Sequence, residues 1–192
     1  YQVQQGDNPW SISTRFLRST EFWPRLIKHN RIRNPRQILP GTRLSIPDDW
    51  LKLRSGPAVA LAVEGQVWMT IGDVRQQRLL AGDTVPVGAT LKTGAEGNVT
   101  LNLLDSSRVL IKGNSEVFLE ANAEAVHGMA RNILLNLRRG ALENQINQQS
   151  SSGGRFEIRT PAAIAAVRGT RFRVAAQDTS TRTEVLHGAV AL

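Results

Sequence analysis

The pattern of apolar and polar positions divides the chain into two parts. From residue 59 onward, apolar residues alternate with polar ones in short segments separated by Gly, Asn, Asp and Ser, as in β strands joined by tight turns. The alternating segments are 59–63, 67–71, 99–103, 109–111, 117–119, 133–137, 156–158, 172–174 and 185–187. Their spacing predicts a large all-β unit.

The first 47 residues have the period of amphipathic helices instead. Asn8 is a suitable N-cap and Pro9 suits the first helical position, because proline lacks the N–H group that would be unpaired there. The spacing predicts one helix over 9–17 and a second helix, capped by Ser19-Thr20, that runs to about residue 29.

Short strands are predicted on either side of these helices, at 1–3 and 43–46, so the expected order is β-α-α-β. A unit this small has a marginal core, and its aromatic residues are expected to fill it. These residues are Tyr1, Trp10, Phe16, Phe22 and Trp23. The predicted division of the chain is a small α+β domain at 1–48, a linker at 49–58 and an all-β domain at 59–192.

Composition limits the classes of function. Cysteine is absent, which excludes disulfides and thiolate chemistry. No stretch of about 18 apolar residues occurs, so no membrane-spanning helix is predicted. The chain begins at Tyr1 without Met and inside a predicted strand, and we therefore expect that a signal peptide has been removed and that the natural chain is longer at both ends.

The net charge of +8 is concentrated near the N-terminus, where residues 1–50 hold eight Lys and Arg against four Asp and Glu. A basic surface attracts polyanions such as nucleic acid, anionic wall polymers and lipopolysaccharide, or it serves solubility. Nucleic acid is the minor alternative, because the aromatic residues here have the spacing of a core rather than of a stacking platform.

Residues 1–47 resemble a LysM domain. The resemblance is carried by Tyr1-x-Val3-x-x-Gly6-Asp7-x-x-Trp10-x-Ile12-Ser13, by Trp23-x-x-Leu26 and by Asn30-x-Ile32-x-Asn34-Pro35-x-x-Ile38-x-Pro40-Gly41-x-x-Leu44-x-Ile46-Pro47. It implies two helices packed on a two-stranded antiparallel sheet. It also implies binding of glycans that contain N-acetylglucosamine, such as peptidoglycan or chito-oligosaccharide.

The glycan groove implied by this resemblance lies between the strand-to-helix loop and the loop after the second helix. Its candidate residues are Gly6, Asp7, Asn8, Pro9, Arg33, Asn34, Pro35, Arg36, Gln37 and Ile38. Backbone groups in such loops can hydrogen-bond an acetamido group, and Ile38 can receive its methyl group. Pro9 removes one N–H donor, and Arg36 places a cation where the family often has Asp; both departures bear on glycan affinity.

The later part of the chain, about residues 63–192, resembles a FecR-type domain. The resemblance is carried by Leu80-x-Gly82-Asp83-x-Val85-x-x-Gly88-x-x-Leu91-x-Thr93-Gly94, by Val99-x-Leu101-x-Leu103-x-Asp105-x-Ser107, and by Phe156-x-Ile158-x-Thr160-Pro161 with Val167-Arg168-Gly169-Thr170-x-Phe172. It implies an all-β domain with a twisted, solenoid-like arrangement. The better-known members relay a signal from an outer-membrane receptor to a sigma factor.

Within these signatures, structural or interaction roles are assigned to Thr160, Pro161, Arg168, Gly169 and Thr170. Gly169 is predicted to bend the chain at a corner, and Thr170 to begin the next strand. Arg168 is predicted either to donate to turn carbonyls or to contact a partner.

Catalysis is not indicated. The three His residues have no Ser and Asp at a spacing that would form a triad, and no His, Asp and Glu cluster has metal-ligand spacing. We expect no catalytic residue, metal or cofactor.

The sequence therefore predicts a non-enzymatic protein of the Gram-negative envelope, periplasmic or secreted. It would bind peptidoglycan through residues 1–48 and carry a β scaffold or interaction domain. The alternative is a periplasmic signalling component whose β domain recognises another envelope protein.

Overall fold

Two short helices begin the fold. In the computed structural model, which describes residues 1–72, 76–145, 153–177 and 180–191, α1 spans Pro9–Phe16 and α2 spans Trp23–His29. Asn8 Oδ1 accepts from the Ser11 N–H at 2.9 Å and Ser11 Oγ accepts from the Asn8 N–H at 3.0 Å, which closes a capping box at the start of α1. The predicted start of the second helix is instead a 3-10 turn, Thr20–Phe22, that leads into α2.

The two predicted N-terminal strands meet only briefly. A single bridge joins Gln2 to Arg43, supported by hydrogen bonds from the Val3 N–H to the Thr42 carbonyl at 2.9 Å and from the Leu44 N–H to the Tyr1 carbonyl at 2.7 Å. The strand order predicted from the sequence is therefore present in outline, with much less pairing than two full strands would give.

Thirteen strands in the described ranges form one curled, mainly antiparallel sheet with the shape of a half-barrel. They are β1 (Leu53–Ser55), β2 (Ala58–Glu64), β3 (Val67–Ile71), β4 (Gln77–Arg78), β5 (Thr84–Val85), β6 (Ala89–Thr93), β7 (Asn98–Asn102), β8 (Arg108–Ile111), β9 (Glu116–Ala125), β10 (Ala130–Gln145), β11 (Gly153–Arg159), β12 (Ile164–Gln177) and β13 (Ser180–Ala191). Every alternating segment found in the sequence overlaps one of these strands. The alternation missed β1, β4, β5 and β6.

The sheet is organised by β10. Its first part pairs with β9 and, in parallel, with β11, whereas its last six residues pair with β12 and its last four with β8. The change of partners occurs at Gly140, which has φ +93°. The other described strand pairs are antiparallel, and this pairing does not show the solenoid-like coil that the resemblance implies.

The buried face of the sheet holds the larger of two hydrophobic cores. Its largest fully buried side chains are Phe156, Phe172, Leu79, Leu91, Leu101, Leu103, Ile111, Leu119, Ile133 and Leu135. Burial of a side chain of this size stabilises the fold by about 1.5–3 kcal/mol, so this cluster supplies most of the driving force for folding.

A second core joins the helices to the sheet. It combines Ile12, Phe16 and Leu26 of the helical part with Ala125 at the end of β9 and Ala130 at the start of β10. We call this cluster, completed by Val3, Leu17, Leu44 and Leu51, the helical core. The helical part and the sheet thus bury apolar surface against each other.

The predicted linker at 49–58 has regular structure. Asp48–Trp50 form a 3-10 turn, and β1 pairs with β9. Arg54 forms an ion pair with Glu124 at 2.6 Å, and Asp48 Oδ2 accepts from the Gly154 N–H at 2.7 Å. The linker and the residue before it are therefore tied to the sheet, while the domain boundaries at 48 and 59 stay a prediction.

Among the described residues, the helices are too short and too polar for any to cross a membrane.

Candidate functional site

The first loop of the predicted groove is held by the carboxylate of Asp7. Tyr1 Oη donates to Asp7 Oδ2 at 2.5 Å, the Gln4 N–H donates to the same oxygen at 2.8 Å, and Arg15 Nη2 lies 3.1 Å from Oδ1. The side chain is only 3% exposed. Burial alone would raise the pKa of Asp7, but the hydrogen bonds from Tyr1 and Gln4 and the charge of Arg15 hold it below its ordinary value. Asp7 therefore shapes the loop, and its carboxylate is already engaged inside the protein.

This arrangement predicts a specific loss of stability in acid. Because the folded pKa of Asp7 lies below its unfolded value, the carboxylate stabilises the fold above about pH 4, and this contribution disappears as the pH falls through the folded pKa. Between about pH 5 and pH 3, the thermal midpoint of Asp7→Asn should fall less steeply than that of the wild type. Asp49→Asn, which removes an exposed carboxylate, is the control and should follow the wild-type curve. Parallel curves for all three proteins would contradict the assigned role of Asp7.

The other members of the first loop have mixed exposure. Gly6 is exposed and has φ +86°, and a Cβ added there would meet nothing within 4 Å, so its backbone faces open space. Asn8 is exposed, but its Oδ1 is used by the helix cap. Pro9 is buried against the helical core. The loop consequently exposes the backbone of Gly6, while the Asp7 carboxylate and Asn8 Oδ1 are engaged inside the protein.

The second loop is ordered by Asn34. Its Oδ1 accepts from the Arg36 N–H at 3.1 Å, and its Nδ2 donates to Gln37 Oε1 at 3.1 Å. The Gln37 N–H also donates to the Asn34 carbonyl at 3.1 Å, which forms a tight turn around Pro35. This turn leaves Arg33 and Arg36 exposed.

Ile38 is half-buried and packs against the helical core, so it is partly a core residue. Its neighbour Leu39 is 74% exposed, which makes it the apolar side chain that this loop presents to solvent. The sequence prediction named Ile38 and did not include Leu39, and the site assignment stays a prediction.

The expectation that all five aromatic residues are buried is wrong for two of them. Phe16 is buried and Tyr1 and Phe22 are half-buried, but Trp10 is 59% exposed and Trp23 is 40% exposed. The buried face of α1 consists of Pro9, Ile12, Ser13 and Phe16, which recur at the helical period. Trp10 falls one position off that face, and a helical wheel would have shown it.

A shallow cleft of about 460 Å³ lies on another side of this domain, lined by Tyr1, Gln2, Arg43, Leu44 and Ser45. None of these residues belongs to the two predicted loops.

The Thr160-Pro161 signature forms the turn between β11 and β12. Thr160 Oγ1 donates to the Ala163 carbonyl and accepts from the Ala163 N–H, both at 3.0 Å, and lies 2.6 Å from Thr181 Oγ1. Pro161 is exposed in the turn. The hydroxyl therefore ties the turn to the neighbouring strand β13.

The prediction that one strand ends and another begins at Arg168-Gly169-Thr170 is wrong. All three residues lie inside β12, and the pairing with β13 shifts register between Arg168 and Arg171. A β-bulge accommodates the irregularity without ending the strand. The side chains of 167–170 lie outside the described residues.

The Asp105-x-Ser107 signature forms a buried polar cluster. Ser107 Oγ donates to Asp105 Oδ2 at 2.7 Å, the Ser107 N–H donates to Oδ1 at 3.0 Å, and Arg131 Nη1 donates to Oδ2 at 3.0 Å. The Asp105 and Arg131 side chains are 1% and 6% exposed. The Arg131 guanidinium also lies over the Phe156 ring, 5.6 Å from its centroid. This cluster joins the turn before β8 to the start of β10, and nothing in the sequence pattern indicated that Arg131 takes part.

Comparison with protein families agrees with this architecture. A family model for the LysM domain matches residues 1–47, and one for the FecR protein matches residues 89–191. The second match covers more than half of the chain. The chain belongs to the FecR protein family. No curated protein and no solved structure matches it.

This FecR-family protein begins with a LysM domain over the same residues that the sequence predicted. The FecR match begins at residue 89, whereas the prediction began at about residue 63. Strands β2 to β5 precede the matched region but belong to the same sheet. LysM and FecR domains are binding or signalling domains typical of the cell envelope. Across the described ranges, no three His, Asp or Glu side chains lie together as a metal site.

Proposed function

We propose that this protein is a non-enzymatic, periplasmic or secreted envelope protein that binds peptidoglycan through its LysM domain, while the FecR sheet serves as a rigid scaffold. The observation that carries the proposal is the LysM match over residues 1–47, with Gly6, Asn8 and most of the loop at 33–38 exposed to solvent. A glycan strand would lie between these loops. Its acetamido groups would pair with loop backbone, and its sugar faces would pack on Trp10 and Leu39.

The charges of the domain suit a wall polymer that carries carboxylates. Arg33 and Arg36 are exposed in the second loop, and Arg25, Lys28 and Arg31 are exposed just before it. Such a surface raises the binding affinity of an anionic polymer at low salt. The effect becomes smaller as added salt screens the charges.

Sedimentation with purified sacculi tests the proposal. The full chain is the correct sample, because Ala125 and Ala130 of the sheet complete the helical core. The protein should pellet with sacculi and should be displaced by soluble chito-oligosaccharide. Failure to pellet at low salt, together with no binding of chito-oligosaccharide, would remove the proposal. Binding to DNA at least as tight as to sacculi would favour the nucleic-acid alternative.

Trp10→Ala should weaken binding to chito-oligosaccharide about tenfold, because it removes an exposed aromatic face beside the first loop. The thermal midpoint should change little, since 59% of this side chain is already in solvent. Isothermal titration calorimetry measures the affinity, and a thermal scan of the same sample measures stability.

The matched control for this experiment is Trp23→Ala, which removes a partly exposed indole at the start of α2, outside both loops. It should leave the glycan affinity within about twofold of the wild type. An equal loss of glycan affinity in both variants would contradict a contact between Trp10 and the bound glycan.

A second candidate is envelope signalling, in which the FecR domain recognises another envelope protein and the LysM domain only localises it. The observation that favours it is the FecR match over more than half of the chain. Photo-crosslinking in cells from exposed sheet positions such as Thr84 or Arg108 would test it. A crosslink to one membrane regulator or receptor would support signalling, and crosslinks only to wall material would support the scaffold.

A further inference from the structure

Four strands bring distant polar residues together on the solvent face of the sheet. Across β7, β8, β10 and β12, the register places Asn102, Arg108, Gln145 and Arg171 in one row, and Thr100, Leu110, Glu143 and Arg173 in the next. Side chains opposite each other on neighbouring strands are about 4.5–5.5 Å apart at Cβ. The alternate residues of these strands, such as Val109, Leu142 and Phe172, are fully buried on the other face.

The rows surround a small cleft. It has a volume of about 250 Å³ and is lined by Thr100, Arg108, Leu110, Glu143, Asn144, Gln145 and Arg171. We call it the sheet-face cleft. In the first row, Gln145 has an arginine on each side, so two guanidinium groups and an amide border the same space.

The charges around the cleft do not cancel. The Glu143 carboxylate forms ion pairs with Arg171 Nη2 at 2.9 Å, with Arg173 Nη2 at 3.3 Å and with Lys112 Nζ at 4.0 Å. Three cations therefore share one carboxylate. Glu184 lies 3.6 Å from Arg173 and is the other carboxylate of this group. In the described part of the chain, no carboxylate lies within ion-pair distance of Arg108. The surface therefore has an excess of positive charge, centred on the Arg108 side of the cleft.

The electrostatics of Glu143 agree with this excess. The hydrogen bond from Arg171 holds the pKa of Glu143 below its ordinary value, and Arg173 and Lys112 add to the effect, although partial burial acts against it. The contacts of Arg171 and Arg173 with Glu143 also indicate which kind of anion these arginines bind. A guanidinium suits a planar carboxylate, and Arg171 and Arg173 each already donate one hydrogen bond to a different oxygen of Glu143.

We propose that the sheet-face cleft is a carboxylate-binding site, in which Arg108, Arg171 and Gln145 hold an acidic side chain or a terminal carboxylate of a peptide partner. Arg108 supplies the guanidinium that has no internal carboxylate among the described residues. Arg171 is shared between the ligand and Glu143, and the Gln145 amide donates between them. The site lies on the FecR sheet and does not depend on glycan binding by the LysM domain.

Titration calorimetry of the full chain with triglutamate peptide, at about 50 mM salt, tests this assignment. Arg108→Gln should lower the affinity about tenfold, because it removes a charge-assisted hydrogen bond while keeping a polar side chain at this position. Glu143→Gln should raise the affinity several-fold, since it removes a competing carboxylate and frees Arg171 and Arg173. A residue with only a structural role would not give that increase.

Arg78→Gln is the matched control. Arg78 is an exposed arginine on β4, at the far end of the sheet order, and its loss changes the net charge by the same amount. It should leave the affinity within about twofold of the wild type. Equal losses in Arg78→Gln and Arg108→Gln would show general charge attraction and overturn the site. Absence of peptide binding at millimolar concentration, or tighter binding of inorganic phosphate than of the peptide, would also overturn it.

Discussion

Asp105→Asn is expected to lower the free energy of unfolding by about 3–5 kcal/mol. The substitution keeps the shape of the side chain but removes the negative charge that faces the guanidinium of Arg131. Both side chains are almost completely buried and lie 3.0 Å apart. Removing one partner of a buried pair leaves a charge in a poorly polarisable interior, and this cost exceeds the loss of an ordinary hydrogen bond. Urea denaturation followed by circular dichroism at pH 7 measures the change.

The control for this prediction is Arg138→Met on the same strand, β10. Arg138 forms an ion pair with Glu116 at 3.0 Å, but its side chain is 57% exposed, so the expected change is below about 1 kcal/mol. The double variant Asp105→Leu with Arg131→Met should recover much of the loss, because two apolar groups replace both charges. A change below about 1 kcal/mol in Asp105→Asn would show that the pair contributes little.

Gly140→Ala is expected to destabilise the protein by about 3 kcal/mol or more, through two separate costs. The residue has φ +93°, which an L side chain adopts at a cost of about 1–2 kcal/mol. Its new Cβ would also lie 2.2 Å from Ser115 Oγ and 2.5 Å from Ser115 Cα, so the backbone must move. Ser115 Oγ accepts from the Ala141 N–H at 3.0 Å, and this contact lies where β10 changes partners.

Gly88→Ala separates the two costs. Gly88 has φ +90°, nearly the same backbone conformation, but nothing lies within 4 Å of an added Cβ. It should therefore cost only about 1–2 kcal/mol. If the two variants unfold at the same urea concentration, steric contact with Ser115 is unimportant and the strand junction is more adaptable than the structure indicates.

The helices and their caps could be predicted because their signals are local. Asn8, Pro9 and Ser19 lie next to the turns that they stabilise, and the structure places them as cap or first-turn residues. The LysM resemblance was confirmed over the same residues for a related reason, since its motif is dense within a short segment. The groove that the motif implies stays a prediction.

The strands could be predicted more easily than the faces that they bury. In β2, the apolar residues of the alternating segment are Val59, Leu61 and Val63. The structure instead buries Ala58 and Ala60, leaves Leu61 47% exposed, and has a register shift between Ala60 and Ala62. A period of two identifies a strand, but a single bulge exchanges its faces.

Contacts between residues that are far apart in the chain could not be predicted from the sequence. The Asp105–Arg131 pair joins residues 26 positions apart in the chain, and the rows of the sheet-face cleft run from β7 to β12. No local pattern marks Arg131 as a core residue, because arginine is a surface residue in most contexts. Only the pairing of β10 with four other strands brings these groups together.

The helix caps, the strand and helix periods, the lack of cysteine and the two family resemblances could all be read from the chain, since each depends on neighbouring residues or on composition. Long-range packing determines that Trp10 is exposed, that the Asp7 carboxylate is hydrogen-bonded within its own loop, and that the Arg131 side chain of β10 is buried. The physical reason is that burial and charge pairing depend on which segments meet, and strand pairing over long separations is set by the packing of the whole sheet.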